Sequence, residues 1–169
     1  RDKFFPKALA GQLTKEEGFV WLEETMKLYI ESGLTQSKIK QILSKIRLRD
    51  GVVEFLNFLK AEGVPVAIIS YGVVEFITTV LTFNGVGHLV AKIYATKLIS
   101  DDRDDLVVSY IPETYVLPDN KDEHSRAFAD IHSVLHDNII AIGDSGGDKK
   151  LGHLKENRCL IARDEKERQ

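Results

Sequence analysis

Ile139-Ile140-Ala141-Ile142-Gly143-Asp144-Ser145-Gly146-Gly147-Asp148 is the stretch on which the reading of this chain turns. Its run of branched apolar residues predicts a buried parallel strand, the kind that helices cover on both faces. The run stops at Gly143-Asp144, which puts a carboxylate at the strand's carboxyl end, where open α/β sheets build their ligand sites. Ser145, Gly146 and Gly147 make a small, flexible turn, and Asp148 follows four residues after Asp144. Two acids set around such a turn suit a divalent cation and the groups that orient it.

The flanking sequence alternates between helix and strand patterns. Lys121 to Leu135 has helical spacing before the strand, and Leu160 to Ala162 gives a short final strand after it. Val64-Pro-Val-Ala-Ile-Ile-Ser70 reads as another buried strand, and Val73, Val74, Ile77, Val80 and Leu81 as the helix that follows. Lys92 to Ile99 and Leu106 to Ile111 are expected to form a hairpin around the acidic turn Asp101 to Asp105. Asp50 is expected to cap a helix bearing Val52, Val53, Phe55, Leu56 and Leu59, which Gly63 ends. This alternation predicts an α/β fold, a parallel sheet with helices on both faces. Nearer the N-terminus, Thr14 and Glu17 make a capping box ahead of Phe19, Leu22, Met26 and Ile30, and Gly33 stops that helix. A second helix follows Thr35, with Ile39, Ile42, Leu43 and Ile46 on one side. The expected organisation is a linker over 1–13, a helical unit over 14–47 and an α/β core over 48–169.

The 169 residues suffice for one domain with a small insertion and a substantial core. Twenty-three Lys and Arg against 26 Asp and Glu give a net charge of −3, which argues against a broad basic surface for nucleic acid. Phosphate recognition must then be local. The single cysteine, Cys159, lies in the apolar run Cys159-Leu160-Ile161-Ala162, so a buried structural thiol and a reducing, cytoplasmic setting are expected. No apolar run approaches the roughly 18 residues of a membrane span, and Arg1-Asp-Lys-Phe-Phe-Pro6 lacks a signal-peptide pattern.

Polar residues fall at three element boundaries. Ser70, before Tyr71-Gly72, offers a hydroxyl beside the free N–H groups of the next helix's first turn, a combination that suits phosphate. Lys121 opens its helix after Pro118-Asp119-Asn120 and can neutralise a phosphoryl oxygen or a nucleophilic carboxylate. Ser145 joins Ser70, Tyr71, Gly72 and Lys121 as a candidate phosphate contact, while Asp144 and Asp148 are the candidate metal ligands. Singly, these are a turn serine, a solvated lysine and a capping acid. Their order and their carboxyl-end placement set them apart.

Together they resemble the later motifs of the haloacid dehalogenase superfamily of phosphohydrolases: a strand-end Ser or Thr, a Lys, and Gly-Asp-x-x-x-Asp after a strand. Within it the chain resembles the cytosolic pyrimidine 5'-nucleotidase family. The likeness lies in Phe5-Pro6, Leu13-Thr14-x-Glu16-Glu17, a helix with Trp21 and Glu23, Leu48-Arg49-Asp50-Gly51, Val64-Pro65-Val66 and Asn138-Ile139-Ile140. Phosphoserine phosphatases share the general pattern and the helical cap. The resemblance implies a magnesium-dependent phosphomonoester hydrolase acting on a nucleoside 5'-monophosphate. Asp144 and Asp148 would hold Mg2+, Ser70 and Lys121 would serve catalysis, and the helical unit would act as a cap. Trp21 with Glu23 or Glu24 would contact a base.

Such enzymes attack phosphorus with the first aspartate of an Asp-x-Asp-x-Thr motif at the end of the first strand. The 169 residues contain no such motif. Asp102-Arg103-Asp104 lies in the charged hairpin turn, without a preceding buried strand or a following Thr. In the resembling fold the absent strand is the middle of the sheet, so its loss would expose two apolar strand edges. The simplest expectation is a fragment, inactive by itself; alternatively the flanking strands pair, or a partner chain or second copy supplies a strand. A non-catalytic phosphate- or metal-binding protein and a phosphatase of phosphoserine or another small metabolite are the competing readings. A receiver-like or flavodoxin-like binding domain would leave the pairing of Lys121 with the Gly-Asp turn unexplained.

Overall fold

The computed structural model describes residues 3–101, 103, 105–144, 146–152 and 154–161. Along the chain run α1 (Phe5–Ala10), α2 (Lys15–Glu31), α3 (Gln36–Leu43), α4 (Val52–Ala61), β1 (Ala67–Val73) and α5 (Val74–Phe83). They are followed by β2 (Lys92–Ser100), β3 (Val107–Ile111), α6 (Lys121–Ile131), β4 (Ala141–Gly143) and β5 (Arg158–Leu160). The class is α/β, as the alternation implies. The chain divides into two units, one of Arg1–Trp21 with Leu117–Gln169, the other of Leu22–Val116. No helix among the described residues is long and apolar enough to cross a membrane.

Local sequence signals account for most helix ends. The Thr14 capping box forms: the Glu17 N–H donates to Thr14 Oγ1 and the Thr14 N–H to Glu17 Oε2, both at 3.2 Å. Gly33, at φ +62°, turns the chain out of α2. Thr35 caps α3 by accepting the Lys38 N–H at 3.1 Å. Asp50, in contrast, caps nothing. Gly51 is the N-cap of α4, at φ +81°, and the Val52 N–H is taken by the Arg49 carbonyl. The stretch read as a linker over 1–13 contains α1, with Pro6 in its first turn and Gly11 closing it at φ +70°.

In the 22–116 unit, β1 and β2 are parallel, with Ala67 opposite Lys92 and Ile69 opposite Tyr94, and β2 forms the expected antiparallel hairpin with β3. The sheet is therefore mixed. Its β1 begins three residues later than the Val64 start read from sequence. The Val64 N–H is occupied closing α4 on the Leu59 carbonyl, and Pro65 has no N–H to offer a ladder. Leu56, Leu81, Val86 and Leu89 are buried together, with Ile68 and Ile93 packed against them from the strands. The hairpin turn also grips α3: the Gln36 N–H donates to the Asp105 carbonyl at 3.0 Å, and the Ser37 N–H to the Asp105 carboxylate at 2.7 Å.

In the other unit β4 and β5 are parallel, with Ala141 opposite Arg158 and Gly143 opposite Leu160. The strand read as buried over Ile139 to Ile142 is Ala141–Gly143, and Ile140 and Ile142 are exposed. Cys159 is exposed too, against the expectation of a buried thiol. A two-stranded ribbon is too narrow to bury its side chains on both faces. Among the described residues β1 pairs with β2 alone and β4 with β5 alone, so each carries one edge without a ladder partner.

Candidate active site

Asn120 sets up the start of α6, its side-chain oxygen accepting the Leu117 N–H at 2.7 Å. Lys121 is the first helical residue and shares a buried stripe with Ser125 and Ala129, at i, i+4 and i+8. Only 3% of it is exposed, and its ammonium donates to Asp148 Oδ1 at 2.7 Å. The other carboxylate oxygen, Asp148 Oδ2, accepts the Asp144 N–H at 3.2 Å. Asp148 thus bridges the lysine and the backbone of the first acid, and Asp144 itself stands exposed at the end of β4. Lys121, Asp144 and Asp148 are brought together as a group.

Glycines let this turn fold so tightly. A β-carbon at Gly143 would lie 2.3 Å from Asp148 Cβ, so the carboxylate rests directly over the Gly143 backbone. One at Gly146 would lie 2.3 Å from the Ala10 carbonyl carbon. The close approach of Gly146 to Gly11, more than flexibility of the turn, is what requires a glycine at each. Ser145, a candidate phosphate contact, lies outside the described residues.

Ser70, Tyr71 and Gly72 belong to the 22–116 unit. Ser70 does not end its strand, because β1 continues to Val73. Between Ile69, opposite Tyr94, and Val73, opposite Thr96, three residues of β1 face one of β2, so Ser70 to Gly72 form a bulge. Within it the Gly72 N–H, expected to be open for phosphate, donates to Ser70 Oγ at 3.0 Å. That bond uses one acceptor lone pair of Ser70 and leaves its hydroxyl proton for another partner.

The candidate base contacts lie on α2. Trp21 is half-buried and packs against the cluster of Phe4, Ala8 and Leu13. Glu23 accepts from Lys27 Nζ at 3.2 Å and from Tyr110 Oη at 3.1 Å. Those two bonds, the lysine's first, hold its carboxyl below the usual range. The Tyr110 ring stacks on Tyr115 with centroids 5.9 Å apart, and burial pushes the Tyr115 phenol up. Glu24 is exposed. No group of three or more His, Cys, Asp or Glu among the described residues is placed to hold a metal ion. Hard carboxylate oxygens in ones and twos do suit Mg2+, which fills its shell with water and substrate phosphate.

The fold is that of the haloacid dehalogenase type phosphatases. The chain matches a substrate-bound phosphoserine phosphatase with a TM-score of 0.70 at 24% identity, covering 98% of this chain and 81% of that one. Against cytosolic 5'-nucleotidase IIIB bound to cytidine the TM-score is 0.57 at 24% identity, covering 83% and 54%. The family model of pyrimidine 5'-nucleotidase (UMPH-1) matches residues 5–158, and the chain belongs to that family. The 7-methylguanosine phosphate-specific 5'-nucleotidase A of Xenopus laevis is 25% identical over 160 residues, 87% of this chain and 53% of the relative. Its B counterpart is 24% identical over the same span. The chain therefore spans about half the length of the curated relatives it matches.

Proposed function

We propose that this chain carries the lysine, serine and metal-acid machinery of a magnesium-dependent 5'-nucleotidase that hydrolyses a nucleoside 5'-monophosphate. The carrying observation is the bridge from Lys121 through Asp148 to the Asp144 backbone, built within a Gly-Asp-x-x-x-Asp turn. Asp144, exposed at the strand end, would hold Mg2+ with Asp148 beside it. When bound, that ion offsets negative charge on the phosphoryl oxygens. Lys121 adds a fixed positive charge, and Asp148 keeps its ammonium from wandering. Ser70, whose Oγ accepts the Gly72 N–H, would use its O–H to donate a hydrogen bond to a phosphoryl oxygen.

The helical unit over 14–47 acts in this reading as a cap that selects the leaving group. Trp21 stacks on a base, and Glu23 or Glu24 accepts its N–H groups. The names of the relatives support two base classes, pyrimidines and 7-methylguanine. A cytoplasmic setting goes with the reading, supported by the cytosolic nucleotidase among the structural matches. The nucleophilic carboxylate is not among the 169 residues, so we expect them alone to be inert. A second reading, a non-catalytic phosphate- or metal-binding protein, uses the same bridge of Lys121, Asp148 and the Asp144 backbone without hydrolysis.

Hydrolysis of CMP, UMP, 7-methylguanosine 5'-monophosphate, phosphoserine and p-nitrophenyl phosphate with Mg2+ tests both, using this chain and a version extended upstream. The expected result is turnover of a nucleoside monophosphate by the extended version only, abolished by Asp144→Ala. Turnover by the 169-residue chain would overturn the claim about the nucleophile. An inert extended version would replace the hydrolase with the binding protein.

A further inference from the structure

We infer that Gly11 is a positioning residue for the Asp144 and Asp148 pair, acting through the backbone of Gly146. The inference deepens the proposed metal role of those acids and rests on it. A β-carbon at Gly11 would lie 2.3 Å from the Gly146 carbonyl oxygen and 2.5 Å from its carbon. A β-carbon at Gly146 would in turn lie 2.3 Å from the Ala10 carbonyl carbon and 2.6 Å from the Gly11 nitrogen. The contact is backbone on backbone in both directions, so no flexible side chain can yield.

Both sides are tied into their surroundings. Helix α1 is braced behind the contact by the buried Phe4, Ala8 and Leu13 cluster and by the Lys7 to Glu17 ion pair. The 3-10 turn Gly146–Lys150 carries Asp148, whose two oxygens hold Lys121 Nζ and the Asp144 N–H. Beneath the Asp148 carboxylate, Gly143 has no room for a β-carbon either. A push at Gly11 is therefore passed to the two acids rather than absorbed. Gly33, Gly51, Gly63 and Gly85 share the positive φ of Gly11, but a β-carbon at any of them meets nothing within 4 Å. Backbone strain is common to all five, and the push belongs to Gly11 alone among them.

The test uses the isotope-labelled 169-residue chain. Gly11→Ala and Gly11→Asn are compared with Gly63→Ala, Asn being a residue that tolerates the left-handed region. Amide exchange at Asp144 reads the turn without any metal, and a thermal-shift titration with Mg2+ alone reads the site. In both Gly11 variants the Asp144 amide is expected to exchange faster, and the Mg2+ concentration for half the shift to rise about tenfold, as for other residues that orient metal ligands. Gly63→Ala should leave both unchanged. Gly11 variants that behave like Gly63→Ala would overturn the inference. If Mg2+ does not shift the wild type, the proposed metal role fails, while Asp144 exchange still decides the positioning. Should the Gly11 variants not fold, Phe4→Leu loosens the brace without a clash; unchanged Asp144 exchange there would equally sink the idea.

Discussion

Lys121 Nζ donates to Asp148 Oδ1 at 2.7 Å, and both side chains are largely withdrawn from water, 4% and 13% exposed. An ion pair this buried is poor evidence of net stabilisation, because desolvation offsets much of the attraction. Breaking it is a different matter, since one charge is left buried and uncompensated. Asp148→Leu and Lys121→Met are each expected to cost about 3–5 kcal/mol. The double variant should recover much of that loss. Urea denaturation of the four proteins measures the coupling, and additive single effects would show that the two side chains do not depend on each other.

Capping separates two threonine and aspartate positions that look alike in sequence. Thr35 accepts the Lys38 N–H, so Thr35→Ala is expected to lower stability by about 1 kcal/mol. Thr35→Ser keeps the acceptor and should lose little. Asp50 precedes α4 in the same manner, yet the backbone closes that helix through Gly51 and Arg49. Asp50→Ala should leave thermal stability unchanged, and a loss equal to that of Thr35→Ala would show that its carboxylate caps after all.

His124, on α6, links stability to pH. Burial disfavours its imidazolium and holds its pKa below the ordinary 6.5, with Glu123 pulling weakly the other way. The unfolded chain therefore takes up the proton first as pH falls. The neutral ring's stabilising share is fully present above pH 6.5 and is lost as pH drops through the folded value. His124→Gln should remove this part of the acid sensitivity. Unfolding free energies of both proteins from about pH 7.5 to about pH 5 measure it, and parallel curves would contradict the assignment.

What could be read ahead of the structure was whatever depends on near neighbours in sequence. The Thr14 capping box, the helix start after Thr35 and the stop at Gly33 each involve residues within four positions, and all three formed. Pro6 and Gly11 bracket α1 just as locally, a signal of the same kind within the stretch expected to be a linker. Pairing across distance was harder. The partner of Lys121 lies 27 residues away, and the bulge at Ser70 exists because β2 offers one residue against three. Burial was the least legible, since Ile140, Ile142 and Cys159 have the composition of a core strand but can be covered only by neighbours that the ribbon of β4 and β5 does not supply.

The bulge gives Ser70 two separable jobs. Its Oγ accepts the Gly72 N–H at 3.0 Å, and in the proposed reaction its O–H donates a hydrogen bond to the phosphoryl group. Ser70→Ala removes both, leaving a half-buried N–H to find another partner at a cost of about 1 kcal/mol. Loss of a donor aimed at developing charge typically lowers kcat by about 100-fold, far more than such a stability change would. Ser70→Thr retains both functions and should restore most of the rate, its extra methyl group being the only addition to the bulge. In an extended, active version, kcat for Ser70→Ala against Ser70→Thr decides the matter. Equal rates in the two would mean that the hydroxyl only shapes the bulge and that phosphate is bound without it.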